Sequence, residues 1–162
     1  MKFTESETIE FKRSTSELKE AIIEKLQNEN QLRYTKKEVM VSCGAKHTLY
    51  NLAQVLFDPG DEVIIPAPFW VTYPDQVRLN DATPVIVPTR EADQFLMTPD
   101  QLKAAITPRT RAIILNSPCN PTGSVYTRRH LEALAEILEE AAVWIISDEI
   151  YARITYGPEK MV

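Results

Sequence analysis

The residues of this chain that are best suited to chemistry follow two apolar runs. The first run, TRAIILN, is followed by the loop SPCNPTG at 117–123. Its two prolines stiffen the loop and hold the amide of Asn120 in one place, which suits hydrogen bonding to a ligand. The alternative interpretation is a stiff connector that binds nothing.

A carboxylate stands at the end of the second run. Asp148 follows AVWIIS at 142–147 and precedes Glu149, Ile150 and Tyr151. A carboxylate that ends a buried strand needs a cation or several hydrogen-bond donors. Asp148 is therefore a candidate for binding a cationic ligand group, and the alternative is the N-cap of a following helix.

Two further candidate positions lie at turns. Gly44, Ala45 and Lys46 separate a β-rich run from a helical pattern. A glycine turn in that place lets backbone N–H groups point at a phosphate, although a plain tight turn explains the pattern too. Trp70 follows an apolar run and a proline turn, where its ring would either stack on a flat ligand or pack in the core.

The elements that would position these residues alternate along the chain. Ser14 and Glu17 have capping-box spacing, which predicts a helix start there. Apolar residues at helical spacing predict helices that begin near Glu17, Lys46, Trp70, Pro99 and Thr127. β-Rich runs predict strands at 38–42, 62–66, 83–88, 110–116 and 142–147.

The predicted strands are nearly all apolar rather than alternating, which indicates that both faces of the sheet are covered. That pattern is typical of a three-layer α/β/α fold with a mostly parallel sheet. Ligands of such sheets bind beyond the carboxyl ends of the strands. The candidate residues at 44–46, 70, 120 and 148 fall at those ends or at the turns beside them.

Composition narrows the class of protein. The chain has 162 residues, enough for one domain, and its net charge of −5 disfavours a nucleic-acid partner. Cys43 and Cys119 have neither the spacing of metal ligands nor that of a disulfide framework. We therefore expect the protein to be located in the reducing cytoplasm. No apolar run approaches the roughly 20 residues of a membrane span, and no signal peptide is expected.

Taken together, these motifs resemble the class I/II aminotransferases of fold type I, in particular the bacterial aspartate aminotransferase branch. The resemblance runs from about Leu18 to Gly157. It is carried by LRYTKKEVMVSCGAKHTLYNLAQVLFDPGDEVIIPAPFWVTYPDQVRL, TPRTRAIILNSPCNPTG and ISDEIY. It implies that residues 17–162 are part of the large, cofactor-binding domain, after an atypical N-terminal segment at 1–16.

The resemblance implies pyridoxal 5'-phosphate as the cofactor and gives two sites for its ends. By resemblance, the backbone of Gly44, Ala45 and Lys46 would hold the phosphate. Trp70 would stack on the pyridine ring.

The resemblance also assigns the polar edge of the ring. Asn120 and Tyr151 would hydrogen-bond the phenolic oxygen, and Asp148 would pair with the ring nitrogen. A carboxylate beside that nitrogen raises the nitrogen's pKa, which suits an electron sink. In the family the Asn-Pro bond of this loop is cis, so we predict a cis Asn120–Pro121 bond.

The family's Schiff-base lysine follows the matching region in a Ser-x-x-Lys segment, and we assign no catalytic residue in this chain. Lys46 belongs to the phosphate loop and is not its equivalent. The arginine that binds the cofactor phosphate, the arginine that clamps the substrate α-carboxylate and the small domain are expected to be missing as well. The resemblance thus implies an aspartate-type aminotransferase fragment, inactive alone, whose family acts on amino acids and 2-oxo acids. We expect a homodimer or a complementary fragment as partner.

Two other functions stay open. In the first, the chain is a non-catalytic module that binds pyridoxal phosphate or dimerises. Alternatively, ESETIEFKRSTSELKEAI at 5–22 resembles the first helix of an AlbA-like DNA-binding domain, which would indicate a fusion. The acidic balance of the chain speaks against this last hypothesis.

Overall fold

The computed structural model describes the backbone of residues 5–154 and the side chains of residues 15–154. The chain divides into two compact units, Met1–Cys43 and Gly44–Val162, and each is described by itself. Within the described helices, none is long and apolar enough to cross a membrane.

The first unit is built on one long helix, α1 (Glu5–Asn30). The helix passes through Ser14, so the predicted capping box near Glu17 is wrong. No glycine or proline interrupts the residues before Ser14, and nothing in the local sequence therefore stops the helix from extending towards the N-terminus.

The strand predicted at 38–42 is also wrong. None of the strand pairs among the described residues includes this run. Glu38 instead closes a turn, because its N–H donates to the carbonyl of Thr35 at 3.0 Å while its carboxylate accepts the Thr35 N–H at 2.7 Å. The bond from the Thr35 N–H to the carboxylate, followed by the bond from the Thr35 hydroxyl, lowers the pKa of Glu38. A strand needs a neighbouring ladder, and the local turn satisfies these groups without one.

The second unit alternates helices with parallel strands. The helices are α2 (Ala45–Leu56), α3 (Thr72–Arg78), α4 (Pro99–Ala105) and α5 (Arg128–Glu140), with a 3₁₀ turn at Glu91–Asp93. The strands are β1 (Glu62–Ala67), β2 (Thr83–Pro88), β3 (Thr110–Asn116) and β4 (Trp144–Asp148). They form one sheet in the order β2-β1-β3-β4.

Alternate residues of the central strands enter two separate cores. On one face, Val63 and Ile65 of β1 pack with residues of α2 and α3. On the other face, Ile64 of β1 packs with Leu102 of α4 and Leu134 of α5. Helices thus cover both faces of a parallel sheet, and the predicted α/β fold is confirmed.

Candidate cofactor site

Strands β3 and β4 end side by side, and this juncture organises the candidate site. Asn116 and Asp148 are paired in register. The Asn116 Nδ2 donates to the Asp148 carbonyl at 2.9 Å, while its Oδ1 accepts the Asn120 N–H at 2.8 Å. Asn116 therefore ties the loop that carries Asn120 to the strand end that carries Asp148. Asn116 was not predicted from the sequence, although a polar residue that ends an apolar strand was a usable signal.

The Asp148 side chain is buried at the end of β4, with 8% of its surface exposed. The Tyr73 hydroxyl donates to its Oδ2 at 2.6 Å, and the Ile150 N–H donates to its Oδ1 at 3.2 Å. Burial, followed by the hydrogen bond to Asp148, raises the pKa of Tyr73. Residues 150–153 form turns, so Asp148 is not the N-cap of a helix.

Trp70 forms one wall of the site. Its ring is half-buried against the core cluster of α2 and α3, and it meets the Tyr73 ring edge-on at 5.6 Å between centroids. The Lys46 ammonium lies 4.9 Å from the Trp70 ring centroid, a cation–π distance. Gln76 donates to the Lys46 carbonyl at 2.9 Å and so fixes the start of α2 against α3. Trp70 therefore contributes to the core and also lies beside the charged group of Lys46.

The turn before α2 leaves donors available. Gly44 has φ +87°, and a Cβ added there would meet no atom within 4 Å. Within the described part of the chain, the N–H groups of Ala45 and Lys46 have no hydrogen-bond acceptor. Unpaired N–H groups at the positive end of a helix dipole favour an anion. These donors and the open space beside them fit a phosphate.

Asn120 and Tyr151 face each other across the strand ends. The Asn120 Nδ2 lies 3.5 Å from the Tyr151 hydroxyl oxygen, and both side chains are half-buried. The loop is closed by the Gly123 N–H, which donates to the Cys119 carbonyl at 2.7 Å. The Asn120–Pro121 bond is cis, as predicted. The two side chains thus place an amide and a phenol together, which suits two hydrogen bonds to one ligand oxygen.

The α2 turn and the β4 end open on the same cleft. This cleft has a volume of about 540 Å³ and lies between α2 and β4; its mostly apolar lining includes Ala45 and Asp148 but not Trp70, Asn120 or Tyr151. A continuous series of side-chain contacts connects most of the predicted positions. It runs through Lys46, Trp70, Tyr73, Asp148, Asn116, Asn120 and Tyr151. Gly44 and Ala45 are not in this series, but they precede Lys46 directly in the chain. Tyr73 and Asn116 are the two members of this series that were not predicted from the sequence.

Known proteins are similar to this chain in sequence. A family model described as aminotransferase class I and II matches residues 10–162. The chain is 55% identical over 145 residues to an aspartate aminotransferase of Geobacillus stearothermophilus, covering 90% of this chain and 37% of that protein. It is 49% identical over 147 residues to an aspartate aminotransferase of Bacillus subtilis, covering 91% of this chain and 37% of the relative.

The solved structures agree with these relatives. The aspartate aminotransferase from Thermus thermophilus with maleate superposes with a TM-score of 0.86 at 45% identity, covering 90% of this chain and 38% of that one. The chain spans a little over a third of the length of the curated relatives it matches. With a family model that covers nearly all of its residues, the chain belongs to the class I and II aminotransferases, a pyridoxal-phosphate-dependent family.

Proposed function

We propose that this chain binds pyridoxal 5'-phosphate at the carboxyl edge of its sheet, as the cofactor-binding part of an aspartate-type aminotransferase. The observation that carries the proposal is the buried Asp148 carboxylate, held by two neutral donors and connected through Tyr73 and Trp70 to the start of α2, where two N–H groups have no acceptor among the described residues. Such a carboxylate favours a cationic partner, and the N–H groups favour an anion. The cofactor carries both charges.

The phosphate end would rest on the start of α2. The N–H groups of Ala45 and Lys46 would donate to phosphate oxygens, and the turn at Gly44 keeps the approach open. The helix dipole adds a favourable field that does not depend on any side chain. The Lys46 ammonium, above the ring of Trp70, adds a positive charge beside this end of the cleft.

The ring end would lie against Trp70 and between the strand ends. Bound pyridoxal phosphate supplies an electron sink that works best with a protonated ring nitrogen. Asp148 would hold a proton on that nitrogen through a charge-assisted hydrogen bond. Asn120 and Tyr151 would donate to the phenolic oxygen on the opposite edge of the ring, and the two residues would thereby fix the ring's orientation.

These residues bind and orient a cofactor, but none of them is assigned to move a proton at a substrate carbon. Amino transfer from aspartate to a 2-oxo acid is thus proposed for the whole protein and not for these residues alone. We expect no transamination by the isolated chain. By analogy with the family, we also infer a homodimer or a complementary chain as partner. The small number of cysteines, Cys43 and Cys119, supports a cytoplasmic location.

Fluorescence titration tests the proposal. In Trp144→Phe, the remaining tryptophan is Trp70, and pyridoxal phosphate should quench it saturably because the ring would stack there. Pyridoxal without the phosphate should bind at least about ten-fold more weakly, since the donors of α2 lose their anion. Absence of saturable quenching in this variant would refute the proposal. Transfer from aspartate to 2-oxoglutarate by the chain alone would refute the expectation of inactivity.

A further inference from the structure

We propose that Tyr73 is a positioning residue, whose hydroxyl sets the Asp148 carboxylate for the ring nitrogen of the cofactor. The inference rests on the proposed function and adds a residue to it. Tyr73 is 2% exposed, and its hydroxyl lies 2.6 Å from Oδ2 of Asp148. The two residues are 75 positions apart in the chain and meet only in the folded sheet.

The hydrogen bonding leaves room on the carboxylate for a ligand. Each carboxylate oxygen has about two lone-pair sites. Tyr73 uses one on Oδ2, and the Ile150 N–H uses one on Oδ1. Both donors are neutral, so they fix the rotamer of Asp148 without neutralising its charge. A cationic N–H in the cleft would therefore meet a pre-oriented, charged acceptor.

The same turn of chain also sets the aromatic wall. The Tyr73 N–H donates to the Trp70 carbonyl at 3.1 Å. Trp70 lies just before α3, and Tyr73 lies in its first turn. The two rings meet edge-on at an interplanar angle of 83°. The Tyr73 ring thus supports Trp70, while its hydroxyl holds Asp148. Removal of the hydroxyl alone separates these two effects, because the ring remains in place.

Tyr126 offers a matched control. It is also buried, at 5% exposure, and its hydroxyl accepts the Met97 N–H at 2.9 Å. It belongs to the core cluster of α4 and α5 rather than to the cluster that contains Tyr73. Tyr126→Phe therefore removes a buried, hydrogen-bonded hydroxyl without touching Asp148.

The test compares two cofactors on three proteins. Dissociation constants of the parent chain, Tyr73→Phe and Tyr126→Phe are measured for pyridoxal phosphate and for its deaza analogue, in which C–H replaces the ring nitrogen. Tyr73→Phe should weaken pyridoxal phosphate binding about ten-fold and leave the analogue within about two-fold. Tyr126→Phe should change both constants by less than about two-fold.

The outcomes separate this inference from the proposed function. An equal loss for both cofactors in Tyr73→Phe would overturn the positioning role and leave cofactor binding intact. If the parent chain binds neither cofactor, the proposed function fails, and the positioning role fails with it.

A measurement without cofactor protects the test against a poorly folded variant. In the parent chain, the Tyr73 hydroxyl proton should give a slowly exchanging, downfield NMR resonance because it donates to a buried carboxylate. Asp148→Asn should move this resonance upfield, while Tyr126→Phe should leave it in place. A resonance that does not respond to Asp148→Asn would overturn the inference even if Tyr73→Phe does not fold.

Discussion

The dipeptide Asp-Glu occurs at both ends of the same sheet, with opposite consequences. At the amino end, Glu62 of β1 accepts from the Thr107 hydroxyl at 2.5 Å and pairs with Arg109. Its neighbour Asp61 accepts from Arg111 at 2.8 Å. At the carboxyl end, Asp148 of β4 has only neutral donors, and no ion pair involves it among the described side chains.

Under the proposed function, the same residue types stabilise the fold at the amino end and bind a ligand at the carboxyl end. The arginines at the amino end match the negative charges within the protein. Under the proposed function, the charge of Asp148 is matched by the cofactor rather than by a residue of the described chain. Burial of an unmatched carboxylate is unfavourable, and a ligand that neutralises it gains correspondingly in affinity.

Matched amide substitutions at the two ends of the sheet should reveal this difference most strongly. Asp148→Asn should weaken pyridoxal phosphate binding about 100-fold, since a charge-assisted bond to the ring nitrogen is lost. Glu62→Gln should leave that affinity unchanged and lower the free energy of unfolding by about 1 kcal/mol. Fluorescence titration and urea unfolding measure the two quantities. Equal effects of both variants on cofactor affinity would show that the two ends do not differ in this way.

Two glycines with positive φ, one before α2 and one before β1, allow a second comparison, with an expected effect of intermediate size. Gly44 lies at the start of α2 with φ +87°, and Gly60 lies in the turn before β1 with φ +91°. Alanine at either position should cost about 1–2 kcal/mol of stability because L-residues resist this conformation. Gly44→Ala should also weaken pyridoxal phosphate about ten-fold, as the donors of Ala45 and Lys46 shift.

Gly60→Ala serves as the control for backbone strain alone. Both variants are followed by thermal unfolding and by cofactor titration. A loss of affinity in Gly60→Ala as large as that in Gly44→Ala would mean that the effect comes from general destabilisation. The phosphate-binding role of the α2 turn would then be wrong.

Sequence patterns predicted the part of the fold that local chemistry determines. The bounds of β2 and β3 match the predicted runs 83–88 and 110–116, because continuous apolar segments between turn residues leave little choice. The predicted start of the first helix and the predicted strand at 38–42 were wrong. The helix extends beyond the predicted start because no glycine or proline stops it there. The run at 38–42 forms no strand because a strand needs a neighbouring strand, which its own residues do not specify.

The residues of the candidate site could be predicted from the sequence only in part. The family motifs gave Asn120 and Asp148, since each stands in a short, distinctive segment. Tyr73 and Asn116 were missed because their roles arise from contacts across 75 and 32 positions of the chain. No local period or spacing encodes such pairs. The polar end of β3 marks Asn116 as a candidate, but its partner and the role of Tyr73 become visible only when the register of β3 and β4 and the placement of α3 are known.

The smallest expected effect is a pH dependence confined to the amino end of the sheet. The Thr107 hydroxyl, followed by Arg109, lowers the pKa of Glu62 below its ordinary value of 4.5. The folded state therefore holds a proton on Glu62 less readily than the unfolded state does. The stabilisation is complete above the ordinary pKa and is lost as the pH falls through the lower pKa of the folded protein.

Glu62→Gln isolates this contribution, because the lowered pKa of Asp61 affects parent and variant alike. The difference in free energy of unfolding should be about 1 kcal/mol at neutral pH, a modest value since the Arg109 partner is largely exposed. It should stay constant down to about pH 5 and shrink below that. Urea unfolding at a series of pH values measures it. A difference that grows on acidification would reverse the sign of the linkage, and the amino end would then not be the charge-matched end of the sheet.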